Sequence, residues 1–127
     1  MIIYQIKLPK KQDAEAFVKF MREHSNVWSK VSCPERLSVS GPPALNGEQN
    51  AYRDVVPFAR RIVETFPDRV LWGTDWPHPN LNDHMPDDGL LVDFIPQIAV
   101  SAELQRKLLV DNPMRLYWPE ERQETPR

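Results

Sequence analysis

Residues 69–80 read RVLWGTDWPHPN. The stretch 69–72, rich in Val, Leu and Trp and bounded by Pro67 and Gly73, has the pattern of a short buried strand, which we extend to 75. Its last residue is Asp75. Burying a carboxylate without compensation is costly, so an Asp where such a strand stops needs a partner or a task.

The neighbouring segments decide what sheet this strand joins. Immediately before it, Tyr52, Val55, Val56, Ala59, Ile62, Val63 and Phe66 recur at helical spacing, the strongest periodic signal in the chain. With Asp54 as N-cap, Pro57 takes the third helical position, where its missing N–H has no intrahelical acceptor anyway. Further upstream, residues 27–33 (VWSKVSC) form an expected strand with Val27, Val31 and Cys33 on the opposite side from Trp28 and Lys30. Before that, Asp13 is positioned to cap a helix running to about His24, with Ala14, Phe17, Val18 and Met21 on one face. Residues 2–8 alternate weakly enough to be a further short strand. Beyond residue 75, helical patterns cover about 89–98 and 101–110. Asn112-Pro113 then ends the second of these and caps a last turn. The charged tail begins at Pro119 and is expected to fray.

Strand and helix therefore alternate three times, the signature of parallel βα units with crossover connections. Two connections are long, 34–50 and 76–89, and both leave the C-terminal end of a strand. Pro67-Asp68, which leads back into a strand, is short. Long loops on one face and tight turns on the other are how α/β enzymes build their sites. Arg36, Asp75 and His78 all fall on the long-loop face.

Composition narrows the function. At 127 residues the chain is a single domain, which we divide into 1–118 and a tail, 119–127. It is about half the roughly 250 residues of a (β/α)8 barrel. The net charge is −2, with Lys and Arg scattered among Asp and Glu, so no electrostatic footprint for nucleic acid or an acidic membrane is present. One cysteine, Cys33, excludes an internal disulfide. With no signal peptide and no apolar run of about 18 residues, the expectation is a soluble cytoplasmic protein. Thirteen prolines against four glycines stiffen the loops between periodic segments.

At these residues a resemblance appears. RVLWGTDWPHP, NVWSKVSCPERLS, YRDVVPFARRIVETFPDRV and LLVDNPMRLYW resemble, in order and spacing, the C-terminal part of the amidohydrolase-related family. The likeness runs from about Ala16 to Pro119 and is nearest to the 2-pyrone-4,6-dicarboxylate lactonase group. It implies an α/β fold, the C-terminal portion of a (β/α)8 TIM-like barrel with about three parallel strands, in which 27–33 and 69–75 are the seventh and eighth. It implies that Asp75 is the general base and that Arg36 holds a substrate carboxylate.

The chemistry agrees with those roles. Opening a lactone at neutral pH needs a water deprotonated as it attacks the carbonyl, and a carboxylate at a strand end can take that proton. A carboxylated substrate calls for the planar fork of an arginine, which Arg36 offers. His78, three residues past the base, could polarise the carbonyl or hydrogen-bond the carboxylate network. Each residue also has a plainer reading. Asp75 could brace its own turn through backbone N–H groups, Arg36 could pair with Glu35 or a nearby helix, and His78 and His84 could be ordinary surface-loop histidines. Cys33 reads as a small buried residue, since no activating group lies near it in sequence. The tryptophans read as packing, with Trp76 placed to wall a pocket.

Metal-dependent members of the superfamily carry a His-x-His pair and further histidines on earlier strands. His24, His78 and His84 have no zinc-ligand spacing, so neither metal nor other cofactor is expected. Residues 1–11 take the place of a sixth strand that in relatives ends with a histidine-bearing segment; here it reads Tyr4-Gln5-Ile6-Lys7. The chain thus reads as part of a longer enzyme opening a small carboxylated lactone in aromatic-compound catabolism, and its open sheet edges favour a homo-oligomer. A catalytically inactive assembly module and a metal-dependent decarboxylase relative are the alternatives.

Overall fold

The computed structural model describes residues 11–42, 51–83 and 85–123. The expected strand at 2–8 and His84 lie outside these residues. Two strands, β1 (Ser29–Lys30) and β2 (Val70–Leu71), pair in parallel with Ser29 opposite Val70 and Lys30 opposite Leu71. Ser29 N–H to Arg69 O (3.0 Å) and Val31 N–H to Leu71 O (2.9 Å) extend the contact at either end. The expected parallel βα arrangement is therefore present, but in far shorter ladders than 27–33 and 69–75. On the first strand the cause is local. Cys33 turns into the left-handed region (φ 59°), and Pro34 has no N–H to continue a ladder.

Helix α1 (Lys11–Glu23) buries Val18 and Met21, with Phe17 packed beside them. Asp13 does not cap it, because the helix starts two residues earlier; Asp13 lies in its first turn, where a carboxylate favours the positive end of the dipole. The short helix α2 (Pro34–Leu37) carries Arg36. Helix α3 (Val56–Thr65) buries Val56, Ala59, Ile62 and Val63, as its periodicity requires. Its cap is Val55, not Asp54, and Pro57 falls in the first turn. The Asp54 side chain is drawn away to the loop after α2.

The helical stretch expected at 89–98 is two helices, α4 (Asp88–Asp93) and α5 (Ile95–Ile98), joined at Phe94. Pro96 cannot donate to the carbonyl four residues back, so the helix breaks there. Asp87 caps α4, accepting from Gly89 N–H at 2.7 Å. Ser101 caps α6 (Ala102–Arg106), accepting from Leu104 N–H at 3.1 Å. Contrary to expectation, Asn112-Pro113 does not end that helix. A π-turn over Lys107–Asp111 lets Asn112 N–H reach Lys107 O, five residues back, and α7 (Asn112–Tyr117) follows. The wider turn absorbs the proline that would break an α-helix. Pro119–Gln123 then forms a 3₁₀ turn in the charged tail.

One core joins these elements: Val18 and Met21 from α1, Ile62 and Val63 from α3, Val70 from β2, Leu91, Phe94 and Ile98 from α4–α5, and Leu108. Two polar side chains lock the frame. Arg69 gives its guanidinium to the carbonyls of Met21 (2.9 Å), His24 (2.9 Å) and Val27 (2.8 Å), closing the C-terminus of α1 onto β2. Asn112, fully buried, donates to Pro67 O and Val70 O, both at 2.8 Å. Among the described residues no helix is long and apolar enough to cross a membrane.

Candidate active site

The parallel pair sets the site. Because β1 and β2 run side by side in the same direction, the segments that follow them emerge at one edge, and residues 39 apart in sequence meet there. Arg36 Nη2 donates to Asp75 Oδ2 at 3.0 Å and to Pro79 O at 2.8 Å. The Arg36 side chain is only 17% exposed, against 37% for Asp75, so the cation is the buried member of the pair. Both line a cavity of about 410 Å³, together with Ser32, Cys33, Gly73, Phe17, Phe58 and Phe94. This joins two of the residues singled out in the sequence. The partner of Arg36 is Asp75 and not Glu35, and the Asp75 carboxylate faces a guanidinium across the cavity wall.

The backbone after β2 folds tightly to achieve this. Asp75 (φ 65°), His78 (φ 59°) and Asn80 (φ 66°) are left-handed, a region that Asp, His and Asn enter more readily than other side chains. His78 N–H donates to Asp75 O at 2.7 Å, closing the turn. The loop therefore doubles back and buries His78, which is 3% exposed. The surface-loop reading of His78 is corrected. Its Nε2 lies 2.9 Å from Asp88 Oδ1 at the start of α4, so it hydrogen-bonds a carboxylate, though not one on the cavity wall. Trp76 is 75% exposed and does not line this cavity.

Cys33, Glu35 and Asp75 each bring one ligand-type atom within 4.8 Å of the others. Burial, with the nearby charges of Glu35 and Asp75, pushes the Cys33 thiol up to about 11, which keeps it protonated and a poor nucleophile at neutral pH. Cys33 is half-buried rather than fully packed away. Burial also raises the Glu35 carboxyl, opposed by its own backbone N–H, His78 and Arg36. Apart from that amide, the two buried Glu35 oxygens have no hydrogen-bond partner. Nothing in the local sequence marks Glu35 or Asp88 as part of this neighbourhood, since each enters through a contact made only when the loops fold.

Asp54 holds the loop that follows α2. Its carboxylate accepts from the Ser38 hydroxyl, the Ser40 hydroxyl (2.7 Å) and the amides of Val39 (2.7 Å) and Ser40 (3.2 Å). Burial alone would raise this carboxyl, but those donors outweigh it and hold it well below the usual carboxylate range. A depressed carboxylate stabilises the fold above its unfolded pKa, near 4, and the contribution is lost as the pH falls below that. Asp54→Asn is expected to cost about 1–2 kcal/mol at pH 7. Urea unfolding of both proteins should show the gap closing between pH 4 and lower pH; a constant gap would mean the carboxylate charge is not what holds the loop.

With this geometry in place, comparison with known proteins is informative. The amidohydrolase family model matches residues 6–118. A 2-pyrone-4,6-dicarboxylate hydrolase of Comamonas testosteroni is 90% identical over 105 residues, covering 83% of this chain and 34% of that protein. A 4-sulfomuconolactone hydrolase of Rhizobium radiobacter is 46% identical over 94 residues, covering 72% of this chain and 29% of that protein. The apo crystal structure of an Agrobacterium tumefaciens protein superposes with a TM-score of 0.65 at 28% identity, over 88% of this chain and 36% of that one. The chain thus spans about a third of the length of the relatives it matches. A family match across most of the chain, together with a strand-end aspartate paired to an arginine from the preceding strand's loop, leads to one conclusion: this chain belongs to the amidohydrolase family.

Proposed function

We propose that this chain is the C-terminal part of a (β/α)8 barrel that hydrolyses a carboxylated lactone without a metal, with Asp75 as general base and Arg36 as substrate clamp. The observation that carries it is the Arg36–Asp75 pair at 3.0 Å on the wall of a cavity, at the ends of two adjacent parallel strands. The names of the relatives, a pyrone-dicarboxylate hydrolase and a sulfomuconolactone hydrolase, support an anionic lactone as substrate.

In this reading the substrate carboxylate binds Arg36, which fixes the ring in the cavity. A water oxygen bonds to the lactone carbonyl carbon while one of its protons passes to Asp75. The ring C–O bond then breaks, the leaving oxygen takes the proton held by Asp75, and the net change is addition of one water. The base lies beside the clamp, so anchoring the carboxylate places the ring carbonyl near the attacking water. His78 serves through its bond to Asp88, which keeps the turn carrying Asp75 closed.

The test is ring opening of 2-pyrone-4,6-dicarboxylate by the full-length protein from Comamonas testosteroni, before and after chelator treatment. Hydrolysis that survives the chelator is expected. Replacing the residue matching Arg36 by Ala should raise KM by roughly 10²-fold, the loss of a charge-assisted, two-point contact. An unchanged KM would remove Arg36 from the clamp role, and activity that vanishes with the metal would end the metal-free mechanism.

A further inference from the structure

In this structure the residue assigned as clamp is fastened to the residue assigned as base. Arg36 Nη2 sits on Asp75 Oδ2, which a water proton would otherwise reach. We propose that Arg36 is a displaceable cover on Asp75 Oδ2: the carboxylate of an incoming lactone takes the guanidinium, and only then is that oxygen free to accept a proton. This deepens the lactonase reading and rests on it.

Three observations support the displacement. The link is a single nitrogen on a single oxygen, whereas a guanidinium can hold a free carboxylate through two parallel bonds, so an arriving carboxylate offers the better partner. The same Nη2 is also held by Pro79 O at 2.8 Å, and Arg36 is mostly buried, so the cation stays in the cavity wall when Asp75 is released. Arg36 Nε is buried without a partner, so the arrangement with Asp75 leaves one N–H unsatisfied, a cost that a repositioned guanidinium can remove. The consequence is specificity by activation: a neutral lactone that enters the cavity meets a base whose Oδ2 is still held by Arg36. Anionic lactones are then favoured in turnover as well as in binding.

The experiment has two arms. In the first, this chain is titrated with pyridine-2,6-dicarboxylate, and the Arg36 side-chain ¹⁵N and Asp75 carboxyl ¹³C signals are followed by NMR. Both should shift together along one binding curve, and Arg36→Gln should abolish the Asp75 response. Movement of the Arg36 signals while those of Asp75 stay fixed overturns the proposal, as does no response of either. In the second arm the full-length relative hydrolyses an uncharged lactone with added acetate. Acetate should accelerate it roughly three- to fivefold, the scale of releasing one partly exposed ion pair, while chloride at equal ionic strength does not. The Arg36→Gln counterpart should start at the accelerated rate and ignore acetate. Inhibition by acetate, or no effect on an active enzyme, overturns the cover. A full-length protein with no lactonase activity at all would instead sink the lactonase reading, and the NMR arm would then decide the displacement by itself.

Discussion

Asp75→Asn, made at the matching residue of a full-length relative, is expected to lower turnover by about 10²–10⁴-fold, the usual contribution of a general base. The amide keeps the shape of the side chain, but its oxygen is too weak a base to hold a proton from water. Substrate binding should survive, because Arg36 keeps its place through its bond to Pro79 O and loses only its carboxylate partner. Single-turnover kinetics and a separate binding titration would distinguish the two effects. A variant with wild-type turnover would leave Asp75 as no more than the anion that neutralises Arg36.

Asn112→Ala should destabilise the fold by about 2–4 kcal/mol. Asn112 is fully buried, and its Nδ2 donates to two carbonyls, Pro67 O and Val70 O, that flank the start of β2. Removing it takes away both bonds and leaves buried acceptors short of a donor at about 1–3 kcal/mol each, besides a cavity. The position matters for the site as well, because β2 leads within a few residues to Asp75. The measurement is the urea midpoint at constant m-value. A change below about 0.5 kcal/mol would show that the π-turn and α7 hold β2 without this side chain.

Much of this protein was legible along the chain because the relevant signals are local. The face of α1 carrying Val18 and Met21 and the face of α3 carrying Ile62 and Val63 follow from 3.6-residue periodicity, and both are buried as expected. The placement of Arg36 and Asp75 on one edge followed from reading both strands as parallel, each trailed by a long loop. Where expectation and structure part, a side chain had two possible partners. Asp54 was assigned to the helix beside it, yet the hydroxyls and amides of residues 38–40 offer it four donors, more than a helix N-terminus presents to one cap. Asn112-Pro113 was read as a helix stop because proline breaks an α-helix; a π-turn was the alternative that local pattern does not announce. For His78 the sequence offers a substrate-binding role and a surface position; the second is excluded, because three left-handed residues turn its loop inward onto Asp88.

By itself, the sequence determined the long helices α1 and α3, that the two strands run in parallel, and which arginine and aspartate stand at their ends; the short helix α2 that carries Arg36 lay in a stretch read as loop. Only the tertiary structure decided that Arg36 rests on Asp75, that Arg69 closes α1 and that Asn112 anchors β2. The reason is range. Periodicity and capping are written in neighbours a few positions apart, whereas these polar contacts join residues 39 to 48 positions apart, and a hydrogen bond needs its donor within about 3 Å, a condition that only the packed chain can meet.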